Sequence, residues 1–135
     1  MIIVTYDVEV DYQGNKPIVA VRIWRDNNFV DTEAMVDSGA DYSVFSAELT
    51  DELGLRLTDG TPQTLRGIGG AVSGYLHSVG LQLLSGGATN SVRGNVFFVQ
   101  NLSSNIRNLL GRHDFFRALR VGFNEARKKL YLGQS

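Results

Sequence analysis

The 135 residues include no cysteine, so disulfide bracing and thiolate chemistry, whether redox or metal-binding, are excluded. The only two histidines, His77 and His113, have no partners at metal-ligand spacing, and neither a metal nor any other cofactor is expected. No Gly-x-Ser-x-Gly elbow is present, which removes the usual serine-hydrolase arrangement. No apolar run approaches the roughly 20 residues of a membrane span. The start, Met1-Ile2-Ile3-Val4-Thr5-Tyr6-Asp7, lacks the basic residues and long apolar stretch of a secretory signal. A soluble, cytoplasmic protein with no membrane partner is expected. Net charge is only −1, which argues against a dedicated nucleic-acid binder. The charge is uneven: from Arg107 onward seven basic residues face two acids, and upstream six face twelve. That asymmetry fits a solvated basic C-terminal region, or association with an acidic surface.

The chain does carry fifteen glycines and many short β-branched runs, the composition of a mainly β protein. Strands are expected over 2–10, 17–24, 28–36, 63–67, 75–84, 92–99, 120–123 and 129–132. Tyr12-Gln13-Gly14-Asn15 reads as the turn of a first hairpin, so that 1–16 forms an N-terminal hairpin region. Arg25-Asp26-Asn27-Asn28 closes the next, and 124–128 the last. A short helix is expected over 47–53, with Ser46 as N-cap and Gly54 as terminator. A second from 112 to about 119 places Phe115, Phe116 and Leu119 on one face. With no linker, tandem repeat or low-complexity segment, residues 1–135 read as one domain.

One stretch asks for a chemical explanation. Ala34-Met35-Val36 runs as an apolar strand straight into Asp37-Ser38-Gly39-Ala40-Asp41. A carboxylate at the end of a buried strand is costly unless its charge is used or paired. Gly39 lets the backbone bend and brings no side chain to block access. One carboxylate alone serves as a base but cannot also donate a proton. Two side by side do both, because like charges a few ångströms apart cannot both ionise.

Three blocks carry a family resemblance. Asp37-Ser38-Gly39-Ala40-Asp41 matches the Asp-Thr/Ser-Gly-Ala signature of retropepsin-like aspartic proteases. Arg66-Gly67-Ile68-Gly69-Gly70, inside a predicted hairpin, resembles that family's glycine-rich flap, here over 64–80. Leu109-Leu110-Gly111-Arg112 is similar to the apolar-apolar-Gly-Arg motif before the family's C-terminal helix. An isolated Asp-Ser-Gly is common in turns, whereas three blocks in this order are specific and cover about 17 to 132. The resemblance implies a closed, mostly antiparallel β-barrel-like domain with one C-terminal helix, working as a homodimer. It implies an aspartic endopeptidase that hydrolyses a polypeptide substrate through an activated water.

The resemblance also assigns roles. Asp37, Ser38 and Gly39 are the catalytic triplet. Ala40 and Asp41, with Gly67, Ile68, Gly69 and Gly70 of the flap, contact substrate. Gly111 and Arg112 give structural support, Arg112 pairing with Asp41. Ser38 is expected to hydrogen-bond across the two-fold, a lock less rigid than threonine would give. Alanine at position 40 offers no hydroxyl to the ionised pair, which predicts activity at mildly acidic to neutral pH. The dimer follows from counting, because the other acid-Gly-hydroxyl triplet, Asp59-Gly60-Thr61, has no apolar strand before it and reads as a turn. His113 stands where many relatives have Asp or Asn after Gly-Arg. Either His113 fills that position or one residue is inserted. The competing reading is an inactive domain of the same fold, serving for dimerisation or peptide binding.

Overall fold

Asp26 takes a left-handed backbone, φ 53°, and folds the chain back between strands β2 (Ile18–Arg25) and β3 (Asn28–Val36). Aspartate tolerates that conformation better than most residues. The two strands pair antiparallel from Arg25↔Asn28 to Ile18↔Met35. Alternation along β2 buries Val19, Val21 and Ile23 completely, and the same face of β3 buries Val30, Ala34 and Val36. The computed structural model describes residues 1–67, 70–85, 91–100 and 108–134.

Six strands close a ring. From β3 the hydrogen-bonded order passes through β8 (Leu109–Leu110), β4 (Val44–Ser46), β7 (Ser91–Val99) and β6 (Gly70–Leu83), and β6 pairs back onto β2. Closure runs through the ends of the long strands: β8 pairs only Met35 and Val36 of β3, and β4 only Phe97, Phe98 and Val99 of β7. Phe45, Val79, Val96, Phe98 and Leu110 join the buried face of β2 to fill it. Strand β5 (Thr61–Gly67) stands outside the ring and pairs only with the first half of β6, so the two project as a hairpin.

The ring departs from the expected antiparallel barrel at two pairings. Met35 and Val36 pair parallel with Leu109 and Leu110, and β4 pairs parallel with β7. Strand β8 inserts between β3 and β4, gripping the two ends of the loop that joins them.

Outside the ring, β1 (Val8–Asp11), β10 (Lys129–Gln134) and β9 (Leu119–Asn124) form a three-stranded sheet. The expected N-terminal hairpin is corrected here: β1 pairs with β10, not β2. The cause is apolar pairing across the strands, Val10 against Leu130 and Val8 against Leu132. Gly14, φ 61°, still turns the chain at Gln13↔Lys16, but the turn passes it from one sheet to the other. Residues before Val8 do not extend the strand, and Ile2 and Ile3 stay 92% and 77% exposed.

Helical structure is slight. Helix α1 is limited to Leu49–Glu52, with Gly54 at φ 69° just beyond it. Ser46 Oγ accepts the Glu48 N–H at 3.3 Å instead of capping the first turn. The expected C-terminal helix is reduced to a wide helical turn over Arg112–Phe116, closed by Phe116 N–H on the Gly111 carbonyl at 3.1 Å. Leu119 is already in β9, where strand pairing with β10 takes over. No helix among the described residues is long and apolar enough to cross a membrane.

Candidate active site

Asp37 follows the last residue of β3, and its backbone N–H donates to the Leu110 carbonyl at 3.0 Å. The inserted β8 thus sets where the acid leaves the ring. Its carboxylate is then oriented by its own loop: Gly39 N–H donates to Asp37 Oδ1 at 2.9 Å, and Ala40 N–H to the Asp37 carbonyl at 3.2 Å. A Cβ on Gly39 would lie 3.2 Å from that Oδ1, so the glycine is there for close approach. Asp37 is half-buried, whereas Ser38 and Gly39 are exposed.

The loop faces a cleft of about 570 Å³ whose opposite wall is residues 63–66 of β5. Gly39, Ala40, Asp41 and Tyr42 line the near side, and His113 contributes as well. The structure therefore brings Gly39, Ala40 and Asp41 and the projecting hairpin to one groove, which Asp37 and Ser38 do not line. Gly67 and Gly70 pair at the far end of the hairpin, where Gly70 adopts φ 114°, a backbone open chiefly to glycine. Ile68 and Gly69 lie outside the described residues. The described wall of the cleft is formed by Gln63, Thr64, Leu65 and Arg66, which sequence reasoning did not single out except as strand.

The expected Asp41–Arg112 ion pair is not formed. Ion pairs among the described residues join Arg22 to Asp31, Lys128 to Glu125 and Lys129 to Asp11. Asp41 and Arg112 share a second cleft of about 390 Å³ with Arg117, both of their side chains exposed. Their segments are joined through the backbone instead: Arg112 N–H donates to the Ala40 carbonyl at 2.9 Å and His113 N–H to the Asp41 carbonyl at 2.8 Å. Gly111 permits this approach, since a Cβ there would sit 2.5 Å from the Tyr42 carbonyl.

The buried acid is Asp114. Ser43 Oγ donates to its Oδ1 at 2.5 Å and Phe115 N–H donates to the same oxygen at 2.6 Å. Burial lifts its carboxyl above the usual carboxylate range, and the Ser43 and Phe115 donors offset part of that rise. Gly94 of β7 makes the space, for a Cβ there would come within 2.4 Å of Asp114 Cβ. His113 points outward and stacks on Tyr42, ring centres 4.8 Å apart. The wide turn over 112–116 is how a helix absorbs one extra residue. It keeps Asp114 inward and His113 outward. Sequence reasoning missed the Ser43, Gly94 and Asp114 unit. The available signal was an acid directly before Phe115-Phe116, which needs a donor once that pair is buried.

A family model described as aspartyl protease matches residues 19–113, from β2 to His113. The chain belongs to this aspartyl protease family, of the retropepsin-like clan. The matched span takes in the closed ring, the acid loop and the projecting hairpin, while β1, β9 and β10 lie outside it. Membership in an aspartyl protease family places the chemistry among peptidases, the hydrolases of peptide bonds. No curated protein matches this chain.

Proposed function

We propose that the chain is an aspartic endopeptidase whose catalytic pair is Asp37 from each of two copies related by a two-fold axis. The observation that carries the reading is that Asp37, directly after β3, leads within two residues into Gly39, Ala40 and Asp41, which line a cleft walled by a strand hairpin. An extended polypeptide fits such a cleft by pairing its backbone with β5. The ionised Asp37 takes a proton from water, the water oxygen attacks the scissile carbonyl carbon, and the protonated Asp37 gives its proton to the carbonyl oxygen. Collapse of the tetrahedral species breaks the C–N bond as a proton moves onto the leaving nitrogen. Ser38, exposed beside Asp37, is the hydroxyl that locks one loop to the other copy's. Gly67 and Gly70, paired at the far end of the described hairpin, stand where a flap would close over substrate.

Exposed apolar residues support a two-copy assembly. Ile2, Ile3, Val4 and Phe123 leave large apolar side chains in water on and beside the three-stranded sheet, surface that a second copy covers. The test is digestion of a denatured protein by wild type and by Asp37→Asn, with sedimentation of both. A dimer that cleaves only as wild type supports the reading. Cleavage that persists in Asp37→Asn overturns it, and a dimer that binds peptide without cleaving it favours the inactive module.

A further inference from the structure

The peptide group joining Leu110 to Gly111 is held on both sides. Its carbonyl accepts the Asp37 N–H at 3.0 Å, and its N–H donates to Ser43 Oγ at 3.0 Å. Ser43 Oγ in turn donates to Asp114 Oδ1. A continuous path of hydrogen bonds therefore runs from the buried Asp114 to the backbone of Asp37, crossing between two segments far apart in sequence, 37–43 and 110–114.

We propose that Asp114 is a positioning residue for the active-site loop: through Ser43 and the peptide between Leu110 and Gly111, it fixes the backbone from which the Asp37 carboxylate projects. The proposal rests on reading Asp37 as catalytic. A hydroxyl has one proton and two lone pairs, and it rotates to suit its partners. With its proton engaged by Asp114 Oδ1, Ser43 turns a lone pair to the Gly111 N–H. Without Asp114 nothing fixes that rotor, and the N–H of Gly111 loses a reliable acceptor in a buried place.

Cost is the second argument. Ser43 and Asp114 are 0% and 5% exposed, and Asp114 Oδ2 is buried with no hydrogen-bond partner among the described residues. An apolar side chain of the same volume avoids the penalty of an unpaired buried oxygen. Packing alone does not call for a carboxyl here. Gly94 gives up a side chain in mid-strand to make room for it, which again costs stability that packing alone would not spend.

The test uses the full chain and the variants Asp114→Ala, Asp114→Asn and Ser43→Ala. Amide hydrogen exchange, followed residue by residue by NMR, needs no catalysis. Exchange at Asp37 and Gly111 is expected to quicken about tenfold in Asp114→Ala, the equivalent of one lost hydrogen bond. Val21 and Val79, elsewhere in the ring, should be unchanged, and Asp114→Asn should restore the slow rates because its side-chain oxygen still accepts from Ser43. In the peptidase assay kcat is expected to fall on the order of 10²-fold with KM within about twofold. If Asp114→Ala does not fold, Ser43→Ala removes a single hydroxyl and gives the same comparison. Unchanged exchange at Asp37, quickening spread evenly over the ring, or no recovery with Asn overturns the proposal. A wild type that cleaves nothing sinks the peptidase reading alone, because the exchange pattern still decides this one.

Discussion

Asp37 and Asp114 lie on opposite sides of one short strand, β8, and their surroundings differ in almost every respect. Asp37 is half-buried, two residues before the cleft lining begins at Gly39, with one backbone N–H of its own loop on its carboxylate. Asp114 is sealed under Gly94 with a hydroxyl and an amide donating to one oxygen and, among the described residues, nothing on the other. An acid open to solvent stays free to exchange protons and meet a substrate. An acid shut in the core has to be satisfied locally, so it organises the backbone around it. The difference teaches that two aspartates joined by one path of hydrogen bonds are set apart by burial, which suits one to the proposed chemistry and the other to the proposed positioning role.

The largest expected effect separates them by activity. Asp37→Asn should lower peptidase turnover by roughly 10⁴-fold, the upper range for losing a general acid–base group. Its unfolding free energy should move by less than about 0.5 kcal/mol, since the side chain is only half-buried and an asparagine oxygen still accepts from the Gly39 N–H. A large fall in stability, read from urea unfolding, would make Asp37 structural and erase the contrast. The next effect comes from the Asp114 side. Gly94→Ala pushes a methyl into Asp114 and should cost about 2 kcal/mol by overpacking, again read in urea. A neutral outcome would show that the pocket is looser than its 2.4 Å approach implies.

Titration sharpens the comparison further. Because burial raises the Asp114 carboxyl, the folded chain binds its proton more tightly than the unfolded chain does. The stability this adds is complete below the ordinary unfolded carboxylate value of about 3.9. It is lost as pH rises through the higher folded value. The stability advantage of wild type over Asp114→Asn should therefore shrink across that window and then level off, as measured by unfolding at a series of pH values. An advantage that grows with pH would mean that Asp114 is held ionised. The smallest effect concerns Arg112. Without an ion pair to Asp41, Arg112→Ala should cost less than about 0.5 kcal/mol, where a braced pair would cost a few.

Long strands were legible because their residues alternate or branch: β3 runs over 28–36 as read, and β2 and β7 shift by a residue at their starts. Turns at Asp26 and over 124–128 followed from residues that tolerate left-handed backbone. Strands β4 and β8 were not legible, being three and two residues long and defined only by the neighbours that flank them. The pairing of β1 with β10 joins opposite ends of the chain, a contact that no local pattern encodes. At the candidate site, the motif singled out Asp37, but Arg112 and Asp114 both follow Gly111 closely. Only the wide helical turn decides which of them faces inward.

The central claim is that the reacting pair comes from two chains, and mixing subunits tests it most directly. Wild type and Asp37→Asn, equilibrated in equal amounts at fixed total concentration, form mixed dimers with one acid each. Activity should then fall to about one quarter of the all-wild-type value, because only wild-type pairs hold both carboxylates. A fall to only about one half, proportional to the wild-type share, would mean that each chain works alone and would contradict the account.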